Sequence, residues 1–319
     1  MPTYAELKEN RRQFLATTSL TVTEFDQLLS AFRYVYETRS PATLTQSGQP
    51  RQRRSGGGRK SRLATVEDKL LFILMYQKTY PIQTVPGLVF RLSPSRTNEL
   101  IHELMPLLQA ALKQLGHGPE RNPAALAERG AAPTPVTALL IDGTERRRQR
   151  PAPARNPEKQ GENYSGKKKA HTDKNLIIAN DRTRQVAYLS QTYPGNTHDK
   201  KMADLESIQY PDGAQLTQDL GFQGYAPLNV FIIQPKKQLR GKFLSAADVL
   251  SNHLIAGSRV VVEHIIAGIK RCRIVKEVFR NTATGFSDVV MQVACALHNL
   301  RTDFRYLRSF AYQLKNYFR

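Results

Sequence analysis

The chain has 319 residues and 36.0 kDa, and 47 Lys+Arg against 27 Asp+Glu give it a formal net charge of +20. Because 40% of the residues are hydrophobic and 23% are charged, the composition excludes disorder as the dominant state and suits about two domains. No apolar run approaches the roughly 18 residues that a membrane-spanning helix requires. We therefore expect a cytoplasmic protein with a polyanionic partner. Nucleic acid is the commonest such partner, and an anionic membrane surface is the weaker alternative.

Three amphipathic helices are predicted in the first 115 residues. Thr21 and Glu24 form a capping box at the start of the first helix, and Thr65 opens the second. Ser93 is the predicted N-cap of the third, with Pro94 at its first helical position. Between the first two helices, residues 40–62 carry Pro, Ser, Gln, Gly and basic residues but no acid, which predicts a basic linker.

This helical region resembles a helix-turn-helix domain. In that motif the second helix of the pair places its N-terminal residues on base edges in the major groove, which here would be Ser95, Arg96 and Asn98. A helical bundle that only packs against itself is the alternative. Residues 116–135 are rich in Gly, Pro and Ala and predict a linker. The expected domains are therefore 1–115 and 136–319.

The second half of the chain has an α/β pattern. Short apolar runs predict strands, and apolar residues at helical spacing predict helices. The predicted strands cover residues 136–144, 171–180, 185–190, 215–218 and 230–234. The predicted helices cover residues 199–208, 246–253, 258–275 and 286–305.

Three acidic residues stand out in this half. Asp142 and Asp219 each end a short apolar strand run, and Glu263 lies inside an apolar helical stretch. Carboxylates at such places are costly unless they are paired or bound to a cation. If the fold brings them together, two Mg²⁺ ions would cancel their repulsion and support phosphodiester cleavage. The alternative is that each acid separately caps a turn or a helix.

Basic residues surround these acids in the sequence. Arg259 and Lys270 lie four residues before and seven after Glu263, on the same helical face, which also suits a solvated ion-pair face. Two further basic groups follow Asp142 along the chain, and they suit a phosphate backbone. These groups are Arg146, Arg147 and Arg148, and then Lys167, Lys168 and Lys169.

Five ordered motifs together resemble a known family. They are IDGTERRRQRP, YSGKKKAHT, YPGNTHDKKM, QDLGFQGY and VVVEHIIAGIKRCRI, within residues 136–300. They resemble the catalytic domain of bacterial insertion-sequence transposases, in the IS-five branch of DDE-superfamily endonucleases, which is related to Harbinger elements. The resemblance implies an RNase H-like catalytic domain, a mixed sheet flanked by helices, preceded by an all-α helix-turn-helix domain.

The resemblance also implies residue roles and a function. Asp142, Asp219 and Glu263 match the family's metal-binding triad, with Mg²⁺ as cofactor and Mn²⁺ as substitute, while Arg259 and Lys270 match the cations of its signature. The implied protein is a nucleoid-associated bacterial DNA transposase without a membrane partner. It would bind terminal inverted repeats, cleave the element ends and join the 3′-hydroxyls to target DNA, as a homodimer or larger assembly. A domesticated, non-catalytic DNA-binding protein is the alternative.

Two features stay open at the level of the sequence. Asp199 falls on a family motif outside the triad, and we interpret it first as a helix-start carboxylate and second as an accessory site residue. Residues 301–319 interleave basic and aromatic side chains. A helix that packs its aromatic stripe on the core is favoured there over a nucleic-acid contact.

Overall fold

A computed structural model describes residues 1–39, 49, 61–128, 138–152, 161–238, 240–241 and 243–317, with side chains up to residue 305. Most of the predicted basic linker 40–62 and residues 129–135 of the predicted linker 116–135 lie outside the described residues. The chain forms two compact units. Unit 1 contains Met1–Gly118, Arg271–Ile274 and Val289–Arg301, and unit 2 contains the remaining segments from Pro119 onward.

Unit 1 is helical. The helices of its N-terminal segment are α1 (Tyr4–Leu7), α2 (Arg11–Thr18), α3 (Val22–Arg39), α4 (Val66–Thr79), α5 (Thr84–Phe90) and α6 (Pro94–Gln114). Helix α4 is buried on all sides, since the five consecutive residues from Leu70 to Leu74 are inaccessible to solvent. Helices α3 and α6 both pack against it.

The predicted helix starts in unit 1 are confirmed by side-chain hydrogen bonds. The Thr21 backbone N–H donates to Glu24 Oε2 at 2.7 Å, and the Glu24 N–H donates to Thr21 Oγ1 at 3.3 Å. Thr65 and Ser93 accept from backbone N–H groups three residues further on, at 3.1 and 3.2 Å. Each bond satisfies a donor that has no partner inside its helix.

Unit 2 is built on a mixed sheet. Its strands are β1 (Ala138–Arg147), β2 (Tyr164–Ser165), β3 (Ala170–Asn180), β4 (Val186–Leu189), β5 (Tyr193–Pro194), β6 (Ala214–Thr217) and β7 (Val230–Ile233). Its helices are α7 (Ala125–Glu128), α8 (Asp199–Glu206) and α9 (Ala246–Ile269). The last helix, α10 (Phe286–Tyr317), contributes residues to both units.

The order along the sheet is β2-β3-β1-β6-β7, and β4 and β5 also pair with β3. Strand β1 runs antiparallel to β3 and parallel to β6, and β6 runs parallel to β7. The predicted α/β class is confirmed as a mixed sheet flanked by helices.

Alternate side chains of β1 face opposite sides of the sheet. Leu139 and Ile141 belong to a core cluster that also contains Leu176 of β3, Leu216 of β6 and Ala203 of α8. Helix α9 packs against β1 and β6 and supplies the lining of a cavity beside Leu140 and Asp142. The α8 face and the α9 face of β1 are therefore distinct.

One predicted helix boundary is wrong. Residues 246–253 and 258–275 were expected as separate helices, but one helix runs through Ala246–Ile269, and a 3₁₀ turn follows at Arg273–Val275. Gly257 interrupts the apolar pattern without ending the helix, since a glycine in an exposed helix costs only about 1 kcal/mol. Within the described segments, no helix is long and apolar enough to cross a membrane.

Candidate active site

The register of strands β1 and β6 brings Asp142 and Asp219, two of the three predicted carboxylates, to one cavity. In the parallel pair of β1 and β6, Leu140 lies opposite Thr217. Asp142 and Asp219 each stand two residues beyond these partners, so they lie at the same level of the two neighbouring strands. Both line one cavity together with Glu263.

Backbone amides orient both aspartates. The Gly143 N–H donates to Asp142 Oδ1, and the Gly221 N–H donates to Asp219 Oδ1, both at 2.7 Å. Burial and then the negative charge of Asp219 raise the pKa of Asp142 to about 6, from an ordinary value of 3.8. This pair of carboxylates therefore favours the approach of a positive charge.

Helix α9 supplies the third carboxylate and a cation. Arg259, Val262 and Glu263 line the same cavity as the two aspartates. Arg259 Nη2 lies 3.8 Å from Asp219 Oδ2, and its charge lowers the pKa of Asp142 against the larger effects that raise it. Arg259 thus lies beside the carboxylates as their counter-charge.

Lys270 follows the last residue of α9 and is half-buried. Burial lowers the pKa of its ammonium group, and the charge of Lys168 lowers it further, while Asp142 raises it. Because these electrostatic effects decline with distance, Lys168 and Asp142 both belong to the surroundings of Lys270. Lys167, Lys168 and Lys169 are all exposed.

Arg146 differs from its expected role. We expected it to contact DNA, but it is only 3% exposed, because its β1 position points into the unit. Its guanidinium donates to Asn175 Oδ1 at 2.7 Å and to the Ser287 carbonyl oxygen at 3.0 Å. Arg147 is exposed, and Arg148 is half-buried in an ion pair with Asp173. Only Arg147 of this group is fully presented to solvent.

The start of α6 in unit 1 is exposed at Ser95, Arg96 and Asn98. The Arg96 guanidinium donates to Glu99 at 2.9 Å, and Gln83 Nε2 donates to Asn98 Oδ1 at 2.9 Å. A turn of residues 91–93 separates α5 from α6. A contact of Arg96 with DNA would compete with its acidic neighbour on the same helix.

Asp199 lies closer to the aspartates than we expected. It is the first residue of α8, and its carboxylate reaches the glycines that follow Asp142 and Asp219. Lys174 of β3 donates to Asp199 Oδ1 at 3.4 Å. The sequence pattern left the role of Asp199 open, and nothing in it marked Lys174 apart from a charge inside a largely buried strand.

Comparison with known proteins assigns the segment that contains these residues. Residues 141–299 match the family described as DDE superfamily endonuclease. The chain carries a DDE superfamily endonuclease domain. The predicted relationship to insertion-sequence DDE transposases is confirmed, whereas the IS-five and Harbinger branch stays a prediction.

One relative and one solved structure extend the comparison. The chain is 25% identical over 225 residues to the probable transposase for insertion sequence element IS702 of Microchaete diplosiphon. The aligned region covers 70% of this chain and 76% of the relative. A piggyBac transposase synaptic complex with hairpin DNA aligns with 95% of this chain and 70% of that one, at 11% identity and a TM-score of 0.37. That TM-score is too low to indicate a shared fold.

The DDE endonuclease domain offers the ligand types that Mg²⁺ prefers, which are carboxylate oxygens. Asp142 and Asp219 fit such an ion because they line one cavity, where burial and then the charge of Asp219 raise the pKa of Asp142. Among the described residues, however, no three His, Cys, Asp or Glu side chains are grouped closely enough to hold a metal ion as they stand.

Proposed function

We propose that this protein is a DNA transposase whose DDE domain cleaves the ends of its own element and joins them to target DNA. The observation that carries the proposal is the cavity shared by Asp142, Asp219 and Glu263, which three separate elements supply. The mixed sheet flanked by helices, with Asp142 on β1 and Asp219 just beyond the neighbouring β6, supports an RNase H-like assignment of this domain. The IS702 relative supports the transposase assignment.

In this proposal the three carboxylates hold divalent ions, with Mg²⁺ as the natural ion and Mn²⁺ as a substitute. Two such ions, when bound, would activate the attacking water or hydroxyl group and stabilise the departing oxygen. The Gly143 and Gly221 amides keep one oxygen of each aspartate oriented. Arg259 and Lys270 bind the phosphate whose charge increases in the transition state.

DNA would bind along the exposed cations. Lys167, Lys168 and Lys169 of the DDE domain contact the phosphate backbone, together with Arg147 and the more enclosed Arg148. The helical N-terminal domain reads the terminal repeats through Ser95, Arg96 and Asn98, in the manner of a helix-turn-helix. Two ends must be cut and joined together, so the active form is a homodimer or a larger assembly on double-stranded DNA.

Cleavage of duplex DNA that carries the inverted repeats flanking the coding region tests the proposal. Wild-type protein with Mg²⁺ or Mn²⁺ should nick each end and leave 3′-hydroxyls, and Asp219→Asn should abolish nicking. Undiminished nicking by Asp219→Asn contradicts the proposal. Tight repeat-specific binding without cleavage in either ion is the result expected of the domesticated DNA-binding alternative.

The two ends of β3 allow a matched test of the DNA-binding surface. We expect Lys167→Gln with Lys168→Gln to weaken DNA binding and to reduce the slope of log K against log salt concentration by about 2, at about 0.9 per phosphate contact. The control is Arg182→Gln with Arg184→Gln, which removes two exposed charges beyond the other end of β3. Fluorescence anisotropy at several salt concentrations measures both slopes, and equal slopes for the two double variants would refute this DNA path.

A further inference from the structure

The carboxylate of Asp199 approaches β1 from the face of the sheet opposite to the cavity that Asp142 lines. Gly143 continues the odd-numbered side of β1, which faces α8, whereas Asp142 faces the cavity lined by α9. Asp199 begins α8 and therefore approaches β1 from the face opposite to Glu263. Asp199 lies behind the strand that carries Asp142, not among the groups that line the cavity.

Two glycines make this close approach possible. A Cβ atom on Gly143 would lie 2.7 Å from Asp199 Oδ1, and one on Gly221 would lie 3.1 Å from Asp199 Oδ2. The first distance is shorter than real Cβ contacts allow, and the second is tight. The same two glycines donate the N–H groups that orient Asp142 and Asp219. One side chain thus contacts both backbone segments that hold the aspartates.

Lys174 compensates the charge of Asp199. Its ammonium group donates to the Thr197 carbonyl oxygen at 2.8 Å and to Asp199 Oδ1 at 3.4 Å, and it lies 3.7 Å from Glu145 Oε1. The side chains of Lys174 and Asp199 are only 14% and 27% exposed. Lys174 therefore holds the same carboxylate oxygen, Asp199 Oδ1, that lies against Gly143.

We propose that Asp199, held by Lys174, is a positioning residue that sets the separation of the Gly143 and Gly221 backbone segments and so directs Asp142 and Asp219 toward a common point. The inference rests on the proposed function, because it assigns Asp199 a part in the same cleavage site. In this proposal Asp199 acts through the two glycines and not as a metal ligand, since it is not among the residues that line the cavity of the aspartates. Its main effect is on the geometry of the two aspartates, beside the smaller contribution of its charge to the raised pKa of Asp142.

The first test separates positioning from metal ligation by DNA cleavage. We expect Asp199→Ala to slow cleavage about 10- to 100-fold and to raise the Mn²⁺ concentration needed for half-maximal rate, as supporting residues behind metal ligands do. Asp199→Asn keeps the shape and should stay within about threefold of wild type. Asp204→Ala, on the exposed side of α8, is the matched control and should leave the rate unchanged. Wild-type rates for Asp199→Ala, or equal losses for Asn and Ala, overturn the inference.

The second test needs no activity. Gly143→Ala should lower the Tm of the otherwise unchanged protein by about 3 to 10 °C, because its new methyl group overlaps the Asp199 carboxylate. In the Asp199→Ala background that overlap is gone, and Gly143→Ala should cost almost nothing further. Additive Tm changes overturn the inference alone. If wild-type protein does not cleave DNA although the Tm changes are non-additive, the proposed function is wrong, and so is the positioning role that depends on it. The contact between Asp199 and Gly143 would still stand.

Discussion

Asp142→Asn should abolish DNA cleavage and, at the same time, stabilise the metal-free protein. The cleavage rate is expected to fall at least about 10³-fold, because the variant removes a carboxylate that faces both Asp219 and Glu263 across one cavity. Stability is expected to rise because burial and the charge of Asp219 penalise the ionised Asp142 in the folded state. A residue that only supported the fold would lower activity and stability together.

The stabilisation of Asp142→Asn should depend on pH with a defined sign. The folded-state pKa of Asp142, about 6, lies above the ordinary value of 3.8, so between these pH values the folded protein binds more protons than the unfolded chain. The wild-type free energy of unfolding therefore falls as pH rises from about 4 to 6, by about 2 to 3 kcal/mol. The Asp142→Asn variant lacks this loss, so its free energy of unfolding exceeds that of wild type above pH 6, and the difference disappears near pH 4.

Thermal unfolding in EDTA at pH 4.5 and pH 7.5 measures this difference. Asp212→Asn is the matched control, since Asp212 is an exposed carboxylate that precedes the other end of β6. It should change neither the pH dependence nor the cleavage rate. Addition of Mn²⁺ should raise the Tm of wild-type protein and leave that of Asp142→Asn nearly unchanged. A variant that is less stable than wild type at pH 7.5 without metal would contradict this account of the site.

Arg146→Gln should destabilise unit 2 by about 2 to 4 kcal/mol, which is a large part of the stability of a typical domain. The guanidinium is buried and donates to Asn175 and to both the carbonyl and hydroxyl oxygens of Ser287. The shorter glutamine cannot reach all of these acceptors, so buried polar groups lose their partner. Urea denaturation measures the loss, and the midpoint should fall without a change in the m-value.

Arg147→Gln is the matched control for Arg146→Gln. The two residues are neighbours on β1, but Arg147 is exposed, so its substitution should change the free energy of unfolding by no more than about 0.5 kcal/mol. It should instead weaken DNA binding and reduce its salt dependence by about one phosphate contact. If Arg146→Gln kept full stability and lost DNA affinity, the original sequence prediction for Arg146 would be restored.

Patterns of apolar residues predicted most of unit 2. Strand β3, with the apolar run from Leu176 to Ala179, was expected over residues 171–180 and covers Ala170–Asn180. Asp142 and Asp219 stood out because a carboxylate at the end of a buried strand is costly without a counter-charge. Signals of this kind depend only on residues that are close in the sequence, so they predict strands and unusual carboxylates before the fold is known.

Other features depend on the register between strands and on the side of the sheet that a residue faces. A local sequence pattern contains neither. Arg146 was grouped with its basic neighbours, yet strand alternation places it inside and Arg147 outside. The approach of Asp199 to Gly143 and Gly221 requires α8 to cross one face of the sheet at that level. Lys174 becomes significant only once the β1–β3 register places it opposite Glu145.

Anomalous diffraction from crystals of the protein with Mn²⁺ and duplex DNA that carries its terminal repeats would locate the metal ions directly. We expect two Mn²⁺ peaks roughly 3.5 to 4 Å apart, bound by Asp142, Asp219 and Glu263 next to a DNA phosphate. Mn²⁺ bound at other residues, or these three carboxylates remaining apart from any ion while DNA is bound, would contradict this expectation.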